Sequence, residues 1–143
     1  MIEKILTHYN IKGEFTFKPN ESLIIKCNAP TNYSGIYLIY YKEKIIYIGS
    51  SGQKINGELK TRKCGIGGMK DRIVNGFHPK FEKIKRKKIF PLIMKEFNMD
   101  EITFKWYVTY DYTNNFDFPT DIEKKILNQF KTTNENQKPS WHK

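Results

Sequence analysis

Two runs dense in β-branched and aromatic residues, at positions 35–41 and 44–49, stand on either side of Lys42-Glu43. Such runs around a two-residue polar break predict a β-hairpin. Alternation puts Tyr37, Ile39 and Tyr41 on one face of the first strand and Ile36, Leu38 and Tyr40 on the other. On the return strand it groups Ile45, Tyr47 and Gly49. Residues 102–110 alternate again and predict a third strand of the same sheet. Helical spacing takes over elsewhere. Apolar positions 2, 5, 6 and 9 predict a short helix, and residues 68–76 a second one that ends near Gly76. A third is expected from Pro79 to Phe97, carried by Phe81, Ile84, Ile89, Leu92 and Ile93 and kinked or split at Pro91. The last runs from Asp121 to Phe130 with Ile122, Ile126, Leu127 and Phe130 as its apolar stripe. Residues 14–17 and 23–25 read as short strands. Five glycines argue against a continuous element across 50–68, which reads as an inserted loop with a turn at 58–62.

These elements define an α/β (α+β) fold: a small antiparallel three-stranded core sheet flanked by helices. Its 143 residues suffice for a single domain. The expected division is an N-terminal arm (1–33), a core (34–130) and a polar tail (131–143) in which Trp141 is the residue able to dock. No run approaches the 18 apolar residues of a membrane span, and the first residues lack the apolar core of a signal peptide. The expectation is a cytoplasmic protein with no membrane contact. Cys27 and Cys64 are in no Cys-x-x-Cys spacing, and His8, His78 and His142 are scattered, which argues against a structural zinc site and a disulfide scaffold.

The net charge of +10 is not evenly spread. Residues 54–95 hold 13 basic and three acidic residues, whereas the remainder holds 12 of each. Charge concentrated in one segment suits a polyanionic partner. The candidate DNA contacts are Lys54, Lys60, Arg62 and Lys63 in the inserted loop, and Lys70, Lys83, Arg86 and Lys87 beyond it.

Between the basic segment and the hairpin lies the candidate chemistry. Gly35-Ile36-Tyr37 opens the first strand and Tyr47-Ile48-Gly49 closes the second. The pair resembles the signature of the GIY-YIG nuclease family, over about residues 34–130. The resemblance implies hydrolysis of a phosphodiester bond in double-stranded DNA by a compact, restriction-type endonuclease, acting as a homodimer or by two sequential nicks. It assigns Tyr37 as general base, Tyr47 as its support, Arg72 to the scissile phosphate and Glu123 as the ligand of a single Mg²⁺ or Mn²⁺. A phenol titrates near 10, so a tyrosine base needs a neighbouring cation, and the basic segment is where one is expected. Family members carry a histidine or tyrosine one turn after the arginine. Gly76 stands there in this chain, and His78 is the candidate for the role. Arg62 competes with Arg72, and Asn134 and Asn136 are candidates for an asparagine after the glutamate helix. Two rival readings stay open. One is an Asp…Glu-x-Lys metal pattern formed by Asp111, Glu123 and Lys125. The other is a non-catalytic nucleic-acid-binding module in which tyrosines stack on bases.

Overall fold

The computed structural model describes residues 2–60, 68–78 and 80–142, with the backbone alone for Phe77, Phe81 and Glu82. In chain order the elements are α1 (Ile2–Leu6), β1 (Lys12–Phe17), α2 (Leu23–Lys26), β2 (Ser34–Tyr41), β3 (Lys44–Ser50), β4 (Gln53–Ile55) and β5 (Glu58–Lys60). They continue with α3 (Gly68–Asn75), β6 (Phe77–His78), β7 (Phe81–Lys85), α4 (Arg86–Glu96), β8 (Ile102–Tyr110) and α5 (Pro119–Thr133). The main sheet is antiparallel in the order β1-β8-β2-β3, one strand more than the alternation predicts. The extra strand comes from the expected N-terminal arm. Lys12–Phe17 pairs along β8, and the Phe15 ring stacks on Phe104 at 4.5 Å.

The predicted hairpin forms with Lys42 and Glu43 both at positive φ, the turn geometry that suits the right-handed twist of paired strands. Strand β2 is central and buried on both faces. Tyr37 and Ile39 join Phe15, Phe104, Trp106, Met69, Ile73 and Phe90 in the larger core, under α2, α3 and α4. Ile36 and Leu38 join Leu6, Tyr9, Ile48, Ile122 and Ile126 in the smaller core, under α1 and α5. The sheet is thus a middle layer between two sets of helices. On β3 the expected grouping changes. The pairing steps from Tyr47 to Ile45 opposite Ile39 and Tyr40, a bulge at Ile46. Ile46 and Tyr47 therefore share the larger core, and Ile45 moves to the smaller one.

Three local expectations are corrected. Residues 23–26 form a helical turn, not a strand: Leu23 is buried, but Ile25 points to solvent, so a β-branched run buys no sheet face here. Within 50–68, β4 and β5 form a hairpin across Asn56-Gly57, both at positive φ, and Glu58–Lys60 is strand rather than turn. The expected helix from Pro79 begins only at Arg86. Residues 81–85 pair back onto 77–78, and the Arg86 amide donates to the Gly76 carbonyl at 2.9 Å, which ends the hairpin and starts α4. Pro91 sits inside this one continuous helix. Trp141 does dock: its amide donates to the Ile46 carbonyl at 2.8 Å, so the tail covers part of the open edge of β3. No helix among the described residues is long and apolar enough to cross a membrane.

Candidate active site

The hairpin β2–β3 brings the two motif tyrosines side by side, with ring centroids 5.9 Å apart. Tyr37 pairs in register with Gly49, and its phenol lies over that glycine. A methyl group on Gly49 would overlap Tyr37 Cζ and Oη and also Tyr47 Cε2, so the site geometry requires glycine there. Gly35 is equally constrained: its missing side chain would run into the Tyr107 carbonyl of β8.

Beside Tyr47, a cavity of about 170 Å³ opens between the end of β3, the start of α3 and the first turn of α5. Tyr47, Ser50, Arg72, Thr120 and Glu123 line it, and its rim includes Gly52 and Gln53 at the foot of the β4–β5 hairpin. Each side chain is delivered by its element. Ser50 ends β3, Arg72 lies in the last turn of α3, and Thr120 and Glu123 are three residues apart, on one face of α5. Ser50 Oγ donates to Glu123 Oε2 at 3.2 Å. Burial raises the Glu123 carboxyl above its ordinary range, against the Ser50 hydrogen bond and the nearby Arg72 and Arg86 charges. Tyr47 is also raised, by burial first and by Tyr37 next, with Arg86 pulling the other way.

Three of the residues that the motif nominates (Tyr47, Arg72 and Glu123) thus share one cavity. Tyr37, the nominated base, stands behind it at 1% exposure and does not line it. His78 lies elsewhere. It packs against Phe90 and Trp141, with centroids 5.8 and 5.4 Å away, and its Nδ1 accepts from the Lys80 amide at 3.1 Å. It borders a separate cavity with Ile93, Phe97 and Met99. Asn134 closes the end of α5, its side chain donating to the Phe130 carbonyl at 2.7 Å. Asp111 accepts the amides of Thr113, Asn114 and Asn115, which close its own loop and hold its carboxyl well below the usual range. It is therefore bound to its loop and does not line the Glu123 cavity, which weakens the Asp…Glu-x-Lys pattern.

Of the candidate DNA contacts, Lys54 and Lys60 are exposed on the β4–β5 hairpin and Lys83 is exposed on β7, while Lys70 and Lys87 are half-buried. Lys54 Nζ lies 3.6 Å from Asp121 and 4.9 Å from the Phe118 ring centroid, which ties the hairpin to the start of α5. Arg62 and Lys63 lie outside the described residues. Arg86 is a correction: it is 1% exposed and so cannot be a surface phosphate contact. Its Nη1 donates to Tyr37 Oη and, at 2.9 Å, to the Arg72 carbonyl, and its Nη2 donates to Tyr47 Oη at 3.2 Å. Burial opposes its charge, but the two phenols more than compensate and raise its already high pKa. One signal in the sequence pointed to it. Arg86 is the lone arginine in a run of lysines at 83–88, and arginine is the cation suited to burial with several fixed hydrogen bonds. Ser50 and Thr120 were missed for lack of any pattern beyond proximity to the motif and to Glu123.

Among the described residues no group of three or more His, Cys, Asp or Glu could hold a metal ion. The side-chain donors that line the cavity with Glu123 include the hydroxyls of Ser50 and Thr120, and like the carboxylate these are hard oxygens. That set suits Mg²⁺ or Mn²⁺, which take one or two carboxylates and complete their shell with water and phosphate, and does not suit zinc.

His142 was also unmarked by sequence. Its ring stacks on Tyr47 at 4.6 Å, and its Nε2 accepts from the Ile48 amide at 3.1 Å, which requires a neutral ring. Burial, with Lys138 and Arg86 adding to it, lowers His142 to about 4, and burial with Arg86 lowers His78 to about 4. Both folded values lie below the unfolded 6.5, so the stability they contribute is complete above pH 6.5 and is lost as pH falls toward 4. The thermal unfolding midpoint should fall across this window. His142→Gln, whose amide oxygen can accept from Ile48, should flatten part of the fall. An unchanged pH profile in that variant would show that His142 is not held neutral by the fold. The difference between variant and wild type separates this effect from Glu123, which contributes with the opposite sign.

No protein-family model matches the chain, no curated protein matches it, and no solved structure matches it. The functional reading therefore stands on the motif and the geometry.

Proposed function

We propose that this protein is a metal-dependent endonuclease of the GIY-YIG type that hydrolyses phosphodiester bonds in double-stranded DNA, with a restriction-type role. The observation that carries the reading is the meeting of Tyr47, Arg72 and Glu123, from three separate elements, on one polar cavity. A phosphodiester needs its charge neutralised, its attacking water oriented and its leaving oxygen stabilised. Arg72 presents a guanidinium able to pair with two phosphate oxygens. Tyr47 lines the wall, and its phenol would orient the attacking water. Glu123 with Ser50 would hold Mg²⁺ or Mn²⁺. When bound, such an ion supplies positive charge to the phosphate and to the leaving 3′ oxygen. The exposed Lys54, Lys60 and Lys83 on the two small hairpins would engage flanking phosphates.

Plasmid digestion tests this. Cleavage is expected with Mg²⁺ or Mn²⁺ and none with EDTA, and sequenced ends should share one recurrent site. Scattered ends would replace the restriction role with a nonspecific or structure-directed one. DNA binding without cleavage, indifferent to metal, would make the protein a nucleic-acid-binding module instead.

A further inference from the structure

Arg86 has no role in the chemistry just described, because it does not line the cavity. It is nonetheless the largest fully buried side chain, and no carboxylate pairs with it among the described residues. A buried cation with no carboxylate in contact is costly to a fold. What it touches is specific. One nitrogen reaches Tyr37 Oη and the Arg72 carbonyl, and the other reaches Tyr47 Oη. The guanidinium carbon lies 5.4 and 5.2 Å from the two ring centroids. Two motif tyrosines and the backbone of the phosphate-binding arginine therefore meet at a single planar group.

A guanidinium only donates hydrogen bonds. Each phenol oxygen that it touches must accept, so each phenol turns its own O–H away from Arg86. Tyr47, unlike Tyr37, lines the cavity. The third bond holds the last turn of α3 and with it the side chain of Arg72. We propose that Arg86 is a positioning residue that clamps both phenols from behind, directs the Tyr47 hydroxyl into the cavity and fixes the helix turn that presents Arg72. The proposal rests on the nuclease reading for its consequence, though not for the clamp itself.

Arg86→Lys and Arg86→Gln test it, by steady-state cleavage of a duplex with Mg²⁺ after correction for the folded fraction. Arg86→Gln should lose about a hundredfold in kcat with KM within threefold. Arg86→Lys keeps the charge but not the fork, and should recover to within about tenfold of wild type. Should Arg86→Gln not fold, Arg86→Lys carries the test: a purely structural pin predicts full kcat for its folded fraction, and the clamp predicts a reduced one. Arg86→Lys combined with Tyr47→Phe should lose less rate than the two single losses together, because the contact between them is lost only once. Additive losses would overturn the clamp. A second measurement is independent of DNA. In urea unfolding, Arg86→Lys combined with Tyr37→Phe should lose less stability than the two single variants together. Additive unfolding losses would overturn the clamp even if wild type cuts no DNA, and coupling with no cleavage would overturn only the nuclease reading.

Discussion

Glu123→Gln should abolish cleavage and raise thermal stability at neutral pH. The loss of activity follows from the donor set. The cavity has one carboxylate, and an amide is a far weaker ligand for a hard cation. A drop of about a thousandfold or more in kcat is expected, in the range found when a group stabilising transition-state charge is removed. DNA affinity without metal should change little. The gain in stability follows from burial, which raises the folded pKa of Glu123 above the unfolded 4.5. The folded state then binds a proton that the unfolded state has released, so wild type loses stability as pH rises through that window. Glutamine carries no charge and does not share this loss. The variant should melt above wild type at pH 7, and the difference should vanish below pH 4.5. Mg²⁺ should raise the midpoint of wild type by binding the folded state, and not that of the variant. Calorimetry over pH with and without Mg²⁺ checks all three. A variant that still responds to Mg²⁺ would move the metal away from Glu123.

The two motif tyrosines should separate in their effects. Tyr47 stands at the cavity wall and Tyr37 behind it. On the proposed nuclease reading Tyr47→Phe removes the hydroxyl that would orient water, and should cost about 10²–10³ in rate, as expected for a group in general acid–base work. It also removes the acceptor of Arg86 Nη2, a buried donor, so a loss of about 1 kcal/mol of stability is expected beside the loss of rate. Tyr37→Phe removes a buried acceptor from the Arg86 cation. Only the Arg72 carbonyl then remains on Nη1. The expected cost is about 1–3 kcal/mol of stability, with a smaller loss of rate than in Tyr47→Phe. Cleavage rates and urea unfolding on both variants give the comparison. A dead but fully stable Tyr37→Phe, beside an active Tyr47→Phe, would return the role of base to Tyr37.

The local pattern was a good guide where structure depends on neighbours in the chain. The alternation of 35–41 assigned both faces of β2, because successive side chains of a strand point to opposite faces of the sheet. The helical stripe predicted over 121–130 placed Glu123 near the start of α5, which the structure extends to Pro119–Thr133. The same logic failed for 81–85, where Phe81 and Ile84 suit a helix or a strand equally well at that length. Asn56-Gly57 was a legible hairpin signal hidden among other glycines.

The amino-acid order alone determined the paired strands with their tyrosines, the helix carrying Arg72, the helix carrying Glu123 and the clustering of positive charge. Each of these depends on side chains a few residues apart, where steric preference and periodicity act directly. Packing decided the rest. It drew Arg86 out of a basic run and buried it between two phenols, moved Ile45 to the other face of the sheet by a bulge at Ile46, and laid His142 on the Tyr47 ring from 95 positions away. Those outcomes turn on whether a buried donor finds acceptors contributed by distant parts of the chain, and spacing along one segment holds no record of that.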